Sequence, residues 1–101
     1  MKTAKEMLDE VIAGKYQIHH KSFTGAAETA KKMAEGRGFT VDEDSWFQNV
    51  TTGRGRGRPS VGKTNDFHVE LLKKGLPQRL QLHFQVFGLE SGNFELNAYI
   101  G

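Results

Sequence analysis

Cysteine is absent from this 101-residue chain, and so are long apolar runs. Without cysteine the chain can form neither a disulfide framework nor a thiolate metal site. No apolar stretch approaches the ~20 residues that a membrane-spanning helix needs, and the polar N-terminal residues are not those of a signal peptide. We therefore expect one domain over residues 1–101, located in the cytoplasm, with no cofactor, no metal and no membrane partner.

Acidic residues are absent from one stretch, although the formal net charge of the whole chain is only +2. Between Thr51 and Lys63 the chain carries Arg54, Arg56, Arg58 and Lys63 and no acidic residue. The preceding "VDEDSW" carries three acidic residues. The basic residues are concentrated in one segment of an otherwise balanced chain. This distribution indicates a local anion-binding site and not a uniformly basic protein.

Two segments near the N-terminus have the apolar spacing of helices. "TAKEMLDEVIAG", residues 3–14, opens with Thr3 and Glu6 in the positions of a capping box. "TGAAETAKKMAEGRG" follows, with Thr24 as its expected N-cap, a stripe of small apolar residues, and Gly36 at its end. Both are predicted to be helices.

After Phe39 the apolar period changes from helical to alternating. The segments predicted as strands are "SWFQNVT", "DFHVELLKK", "RLQLHFQVF" and "NFELNAYI". The expected fold is α+β, with two N-terminal helices packed on one face of a four-stranded antiparallel sheet, in the order α-α-β-β-β-β and in two layers. A flexible basic Gly/Arg loop at about 52–65 would join the first strand to the second.

Matching apolar residues across the strands predicts the register. Phe67 should face Phe84, and Phe84 should face Leu96 on the last strand. The hairpin turn between the middle strands then falls at Gly75-Leu76, where a leading glycine suits a type II′ turn. Because side chains alternate between the faces of a sheet, this parity sends the polar residues of all three strands to the second face.

That polar face carries groups that can transfer protons. In the predicted register His68, His83 and Asn97 lie side by side, and Glu70 and Glu95 are on the same face. Histidine titrates near neutral pH and is the commonest general acid or base. If the protein is an enzyme, we expect a metal-independent endoribonuclease with these two histidines and two glutamates as its catalytic groups.

The segment "GRGRGRPSVGKT", residues 53–64, fits two known patterns. Residues 57–64 match the P-loop pattern G-x-x-x-x-G-K-[ST], but a strand-like segment follows Thr64 where a P-loop requires a helix. Residues 56–58 with Pro59 resemble the Arg-Gly-Arg-Pro core of an AT-hook, whose arginines enter a narrow A·T minor groove. A solvated hairpin loop is the third interpretation.

The leading functional prediction is a small nucleic-acid- or nucleoprotein-binding protein, such as a bacterial or phage accessory or inhibitor protein. Its phosphate contacts would come from the basic segment, helped by Arg37, and Tyr99 could stack on a base. RNA and DNA remain equally open as partners. A protein-interaction module that binds an acidic partner surface is the further alternative.

The predicted element order also resembles that of small ribonuclease toxins typified by barnase and the colicin ribonucleases. In those proteins the catalytic acid and base lie on the open face of an antiparallel sheet. The resemblance implies that the polar face of this sheet would be the catalytic surface. It rests on element order, and fold alone does not determine function.

Overall fold

The computed structural model describes residues 18–51 and 58–101. The helix predicted over residues 3–14 lies outside them, as do Arg54 and Arg56. The described residues form an α+β fold, whose elements are β1 (His19–His20), α1 (Phe23–Gly36), β2 (Thr40–Val41), α2 (Glu43–Trp46), a π-helical turn (Phe47–Thr51), β3 (Thr64–Lys73), β4 (Leu76–Gly88) and β5 (Phe94–Ile100).

The sheet has five strands in the described residues, and the prediction of four was wrong. Its order is β1-β5-β4-β3-β2, and every neighbouring pair is antiparallel. The three long strands β3, β4 and β5 are the predicted meander. The two additional strands, β1 and β2, are each two residues long and lie at the two edges.

The segment "SWFQNVT" is helical, and its prediction as a strand was wrong. Asp42 caps α2, because its side chain accepts a hydrogen bond from the Ser45 main-chain N–H at 3.0 Å. Trp46 and Val50 are both buried, four residues apart, which is the spacing of one helix face. Two hydrogen bonds then attach α2 to the outer edge of β3: Asp42 N–H donates to the Glu70 carbonyl, and Glu70 N–H donates to Ser45 Oγ.

Helix α1 is the second predicted helix, but its cap is two residues earlier than expected. Ser22, and not Thr24, is the N-cap, and its hydroxyl accepts a hydrogen bond from Gly25 N–H at 2.9 Å. The buried stripe of α1 consists of Ala26, Ala27, Ala30, Met33 and Ala34. Since alanine adds little bulk, this stripe lets the helix pack close to the sheet.

The register between β3 and β4 confirms the predicted pairing of Phe67 with Phe84. A bulge between Glu70 and Leu72 then shifts the end of the hairpin. The turn is formed by Lys74 and Gly75, both with positive φ (53° and 79°), so the predicted turn at Gly75-Leu76 was one residue off. Positive φ at both central residues is the geometry of a type I′ hairpin turn.

The register between β4 and β5 differs from the prediction by two residues. Phe84 pairs with Ala98, and Val86 pairs with Leu96. The parity of the faces was correct, because a shift of two leaves every side chain on its predicted face. The shift does change the neighbours on the polar face: Tyr99, and not Asn97, lies beside His83.

The core lies between α1, α2 and one face of the sheet. Phe84 is fully buried at its centre, where its ring stacks on Phe67 with centroids 4.8 Å apart and on Trp46 at 5.8 Å. Lys31 joins the two helices at the surface, since its Nζ lies 3.3 Å from the Glu43 carboxylate and 5.1 Å from the Trp46 ring. The opposite face of the sheet, called the open face below, is not covered by either helix.

Candidate nucleic-acid interface

The C-terminal part of the basic segment is attached to the end of β4. Gly62 N–H donates to the Gly88 carbonyl at 2.8 Å, and Gly88 N–H donates to the Lys63 carbonyl at 3.0 Å. A Cβ atom at Gly88 would lie only 2.5 Å from the Ser60 carbonyl oxygen. Glycine is therefore needed at position 88, because the backbone of the basic segment occupies the space of a side chain.

Arg58 and Lys63 project from this anchored stretch as exposed side chains. Among the described residues neither of them forms an ion pair. Pro59, between them in sequence, is buried and fixes the stretch against the body of the domain. The two cations are thus displayed from a backbone that is held at one end of the sheet.

The structure does not bring Arg37 to this end. Arg37 follows α1 and precedes β2, whose Thr40 pairs with Leu72 near the far end of β3. Nine residues of extended strand, about 30 Å, separate Leu72 from Lys63. Arg37 therefore lies apart from the basic segment, together with Lys73, whose Nζ contacts the Phe39 ring at 5.2 Å.

The open face presents polar side chains in rows that run across the strands. The row nearest the basic segment contains Thr64, Phe87, Glu95 and His19; the next contains Asp66, Gln85 and Asn97; the third contains His68, His83 and Tyr99; the last contains Glu70 and Gln81. Glu70 is thus one row from His68, whereas Glu95 is two rows from His83. The two glutamates predicted to serve the histidines are at unequal distances from them.

The third row, called the histidine row below, is held by ring contacts and hydrogen bonds. The rings of His83 and Tyr99 stack with centroids 4.8 Å apart and an interplanar angle of 10°. His68 meets His83 edge-on, and their Nδ1 atoms are 3.4 Å apart. His83 Nε2 lies 3.0 Å from the main-chain oxygen of Gly101. Tyr99 remains 51% exposed on the outer side of the row.

These contacts assign the protons of the row when both rings are neutral. An oxygen of the main chain can only accept, so His83 Nε2–H donates to Gly101. The Nδ1 of a neutral His83 then carries a lone pair, and His68 Nδ1–H donates to it. His68 Nε2 is therefore left as an acceptor, whereas both nitrogens of His83 have partners.

A cleft of about 310 Å³ adjoins His68 at the outer edge of β3. We call it the polar cleft; among the described residues it is lined by Asn49, Asp66, Phe67 and His68. Asn49 belongs to the π-helical turn that ends at Thr51, so the basic segment starts two residues beyond the cleft. A second depression of about 130 Å³ lies on the other side of His68, over the open face toward Gln85 and Tyr99.

The charge on the open face is negative. Asp66, Glu70 and Glu95 are exposed there, together with one cation, Arg79, which shares the alternation of Gln81 and His83 on β4. The exposed cations Arg58 and Lys63 lie at the end of the sheet. The centre of the face is therefore less favourable to an anion than the end of the sheet where Arg58 and Lys63 lie. The face is suited to uncharged, hydrogen-bonding parts of a ligand.

Sequence reasoning missed Asn49, Asp66 and Gly88. Asp66 shares the alternation of His68 and could have been placed on the polar face. Asn49 was hidden by the wrong assignment of its segment as a strand. Gly88 carries no local signal, because its role comes from a contact with Ser60, far away in sequence.

Within the described residues no group of three or more His, Cys, Asp or Glu side chains is arranged to hold a metal ion. Nor is any helix in that part of the chain long and apolar enough to cross a membrane. Comparison of the chain with protein-family models, curated proteins and solved structures finds no match.

Proposed function

We propose that the protein binds nucleic acid, or a nucleoprotein through its nucleic acid, with Arg54, Arg56, Arg58 and Lys63 contacting phosphates. The observation that carries this proposal is the attachment of the basic segment to Gly88, which displays Arg58 and Lys63 without an acidic partner among the described residues. Binding orders flexible side chains at a cost of about 0.5–1.5 kcal/mol each. A backbone that is already held in place reduces the further cost of ordering a loop on binding.

Lys63 directly precedes Thr64, which lies in the first row of the open face, and this supports the same proposal. A strand whose phosphates lie on the basic segment can direct its bases toward the polar cleft and the histidine row, where Tyr99 offers an exposed aromatic ring. Stacking on one aromatic ring is worth about 1–3 kcal/mol per base. Phosphate charge and base stacking would thus be supplied by two adjacent surfaces.

A salt titration tests this proposal. Fluorescence anisotropy with labelled single-stranded RNA, single-stranded DNA and duplex DNA should detect binding at low salt. With about four phosphate contacts on a single strand, affinity should fall about fiftyfold between 50 and 200 mM salt. If no nucleic acid binds at low salt, the proposal is wrong. Capture of an acidic protein by the same basic residues would then favour the protein-interaction alternative.

A second candidate is metal-independent RNA cleavage, which is favoured by the contact between His68 and His83. The tautomers above make the roles of the two histidines unequal. His68 Nε2 is the available proton acceptor, and His83 positions its ring. Incubation with RNA in the presence of EDTA should show cleavage that His68→Gln abolishes. Absence of cleavage by the wild type, or full cleavage by His68→Gln, would remove this candidate.

A further inference from the structure

The polar cleft has a hydrogen-bonding pattern that selects among ligands. The amide nitrogen of Asn49 donates to Ser45, with the carbonyl at 2.9 Å and Oγ at 3.3 Å. Its Oδ1 is therefore left as an acceptor. The carboxylate of Asp66 is an acceptor only, and His68 Nε2 is an acceptor by the assignment above. The side chains lining the cleft thus offer acceptors to a ligand.

The edge of β3 adds main-chain groups to the cleft. The main-chain N–H and C=O of Glu70 point away from β4 and form hydrogen bonds with Ser45 and Asp42. In an antiparallel strand the main-chain groups of every second residue point the same way. The N–H and C=O groups of Asp66 and His68 therefore also point to the outer edge of β3. Strand β2 pairs only with Leu71 and Leu72, beyond this point. Among the described residues, then, no strand pairs with the edge at Asp66 and His68, and its N–H groups can meet an acceptor on the ligand.

We infer that the polar cleft binds an unpaired guanine of a single-stranded nucleic acid. This inference rests on the proposed function and names its preferred base. Guanine presents two adjacent donors, N1–H and the N2 amine, on its Watson–Crick edge, and these match a carboxylate that accepts at both oxygens. Its O6 acceptor matches a main-chain N–H of the β3 edge. Adenine, cytosine and uracil do not have two adjacent donors on this edge. Next to its donor each of them has an acceptor, and this acceptor would face a carboxylate oxygen of Asp66 without a hydrogen bond.

The size of the cleft is consistent with one base. Its volume of about 310 Å³ lies at the lower end of the ~300–1,000 Å³ range of small-molecule sites. The Watson–Crick edge of guanine is engaged in a duplex, so the base must be unpaired to be recognised in this way. The negative charge of Asp66 excludes a phosphate from the same place.

The test compares two labelled single strands that differ only in guanine against inosine, which lacks the N2 amine. We expect the wild type to bind the guanine strand about tenfold more tightly, the effect of one hydrogen bond to a charged group. Asp66→Asn should remove this preference. Glu90→Gln is the matched control, because it removes one exposed carboxylate charge outside the cleft, and it should keep the preference.

Equal binding of both strands by the wild type would overturn the inference and leave the proposed function intact. The same holds if Asp66→Asn keeps the preference. If neither strand binds, the proposed function fails, and an NMR titration with guanosine monophosphate against adenosine monophosphate decides the cleft separately. Guanine-specific shifts of the Asp66 and His68 amides would support the cleft, and their absence would overturn it.

Discussion

Gly88→Ala tests the contact that holds the basic segment in place. The added Cβ would lie 2.5 Å from the carbonyl oxygen of Ser60, 3.0 Å from its carbonyl carbon and 3.2 Å from the oxygen of Pro59. These are backbone atoms, so no side chain can rotate away to relieve the clash. Either β4 or the basic segment has to move.

Both responses cost a similar amount. Overpacking that stays in place costs about 1–3 kcal/mol. If the segment moves away instead, the two hydrogen bonds that join Gly62 and Lys63 to Gly88 are lost, at about 0.5–1.5 kcal/mol each. Replacing glycine by alanine also restricts the unfolded chain, which returns about 0.4–1 kcal/mol. We therefore expect a net loss of about 1–2 kcal/mol in the free energy of unfolding.

Urea denaturation measures that loss, and hydrogen exchange distinguishes the two responses. If the segment moves away, the amide of Gly62 should lose its protection while the amides of the core strands keep theirs. Gly101→Ala is the control, because its added Cβ would make an ordinary contact of 3.4 Å with the Tyr99 ring. A Gly88→Ala variant with wild-type stability and wild-type protection of Gly62 would refute the reasoning.

Three further predictions concern the core, the α1 cap and the histidine row. Phe84→Ala removes the ring between Phe67 and Trp46 and should lower the free energy of unfolding by about 3–5 kcal/mol. Leu76 is 65% exposed, so Leu76→Ala should change the free energy of unfolding by no more than about 0.5 kcal/mol in the same urea assay. If Phe84→Ala and Leu76→Ala lowered the free energy of unfolding equally, the described core would be contradicted. Ser22→Ala should cost about 1 kcal/mol and Ser22→Gly less, and no effect of Ser22→Ala would show that its cap is not made. Imidazole ¹⁵N spectra of neutral His83 should show its proton on Nε2; a proton on Nδ1 would contradict the assignment.

The long strands were predictable because one periodicity dominates them. Phe67 and Val69 on β3, and Leu82 and Phe84 on β4, alternate with polar residues, and this alternation fixed both the faces and the central pairing. The register of β5 was less determined, since a shift of two keeps every apolar residue on the core face. The position of β5 also involves Ile18, which directly precedes β1 and whose carbonyl accepts a hydrogen bond from Leu96 N–H. The alternation of residues within β5 carries no information about this contact.

The error at residues 45–51 has a local cause. Apolar and aromatic residues in "SWFQNV" favoured a strand, but three acidic residues just before it, at Asp42, Glu43 and Asp44, are typical of the first turn of a helix. Trp46 and Val50 also have helical spacing. Giving more weight to the cap than to the aromatic content would have predicted α2.

The candidate site was predictable in part. The parity of the strands placed His68 and His83 together, and the basic composition identified the segment that we propose to bind phosphate. The polar cleft could not be predicted, because it depends on Asn49 lying beside Asp66 and His68 across a tertiary contact between the π-helical turn and β3. The anchor at Gly88 depends on a similar long-range contact.

The salt dependence of binding by a charge-matched pair of variants tests the central claim most directly. Arg58→Gln/Lys63→Gln removes two cations of the basic segment, and Lys32→Gln/Arg79→Gln removes two exposed cations from α1 and β4. The slope of log affinity against log salt for a single strand should be about −3 for the wild type and for the control, and about −1.5 for the basic-segment variant. Equal slopes for the two variants would contradict the claim that the basic segment contacts phosphate.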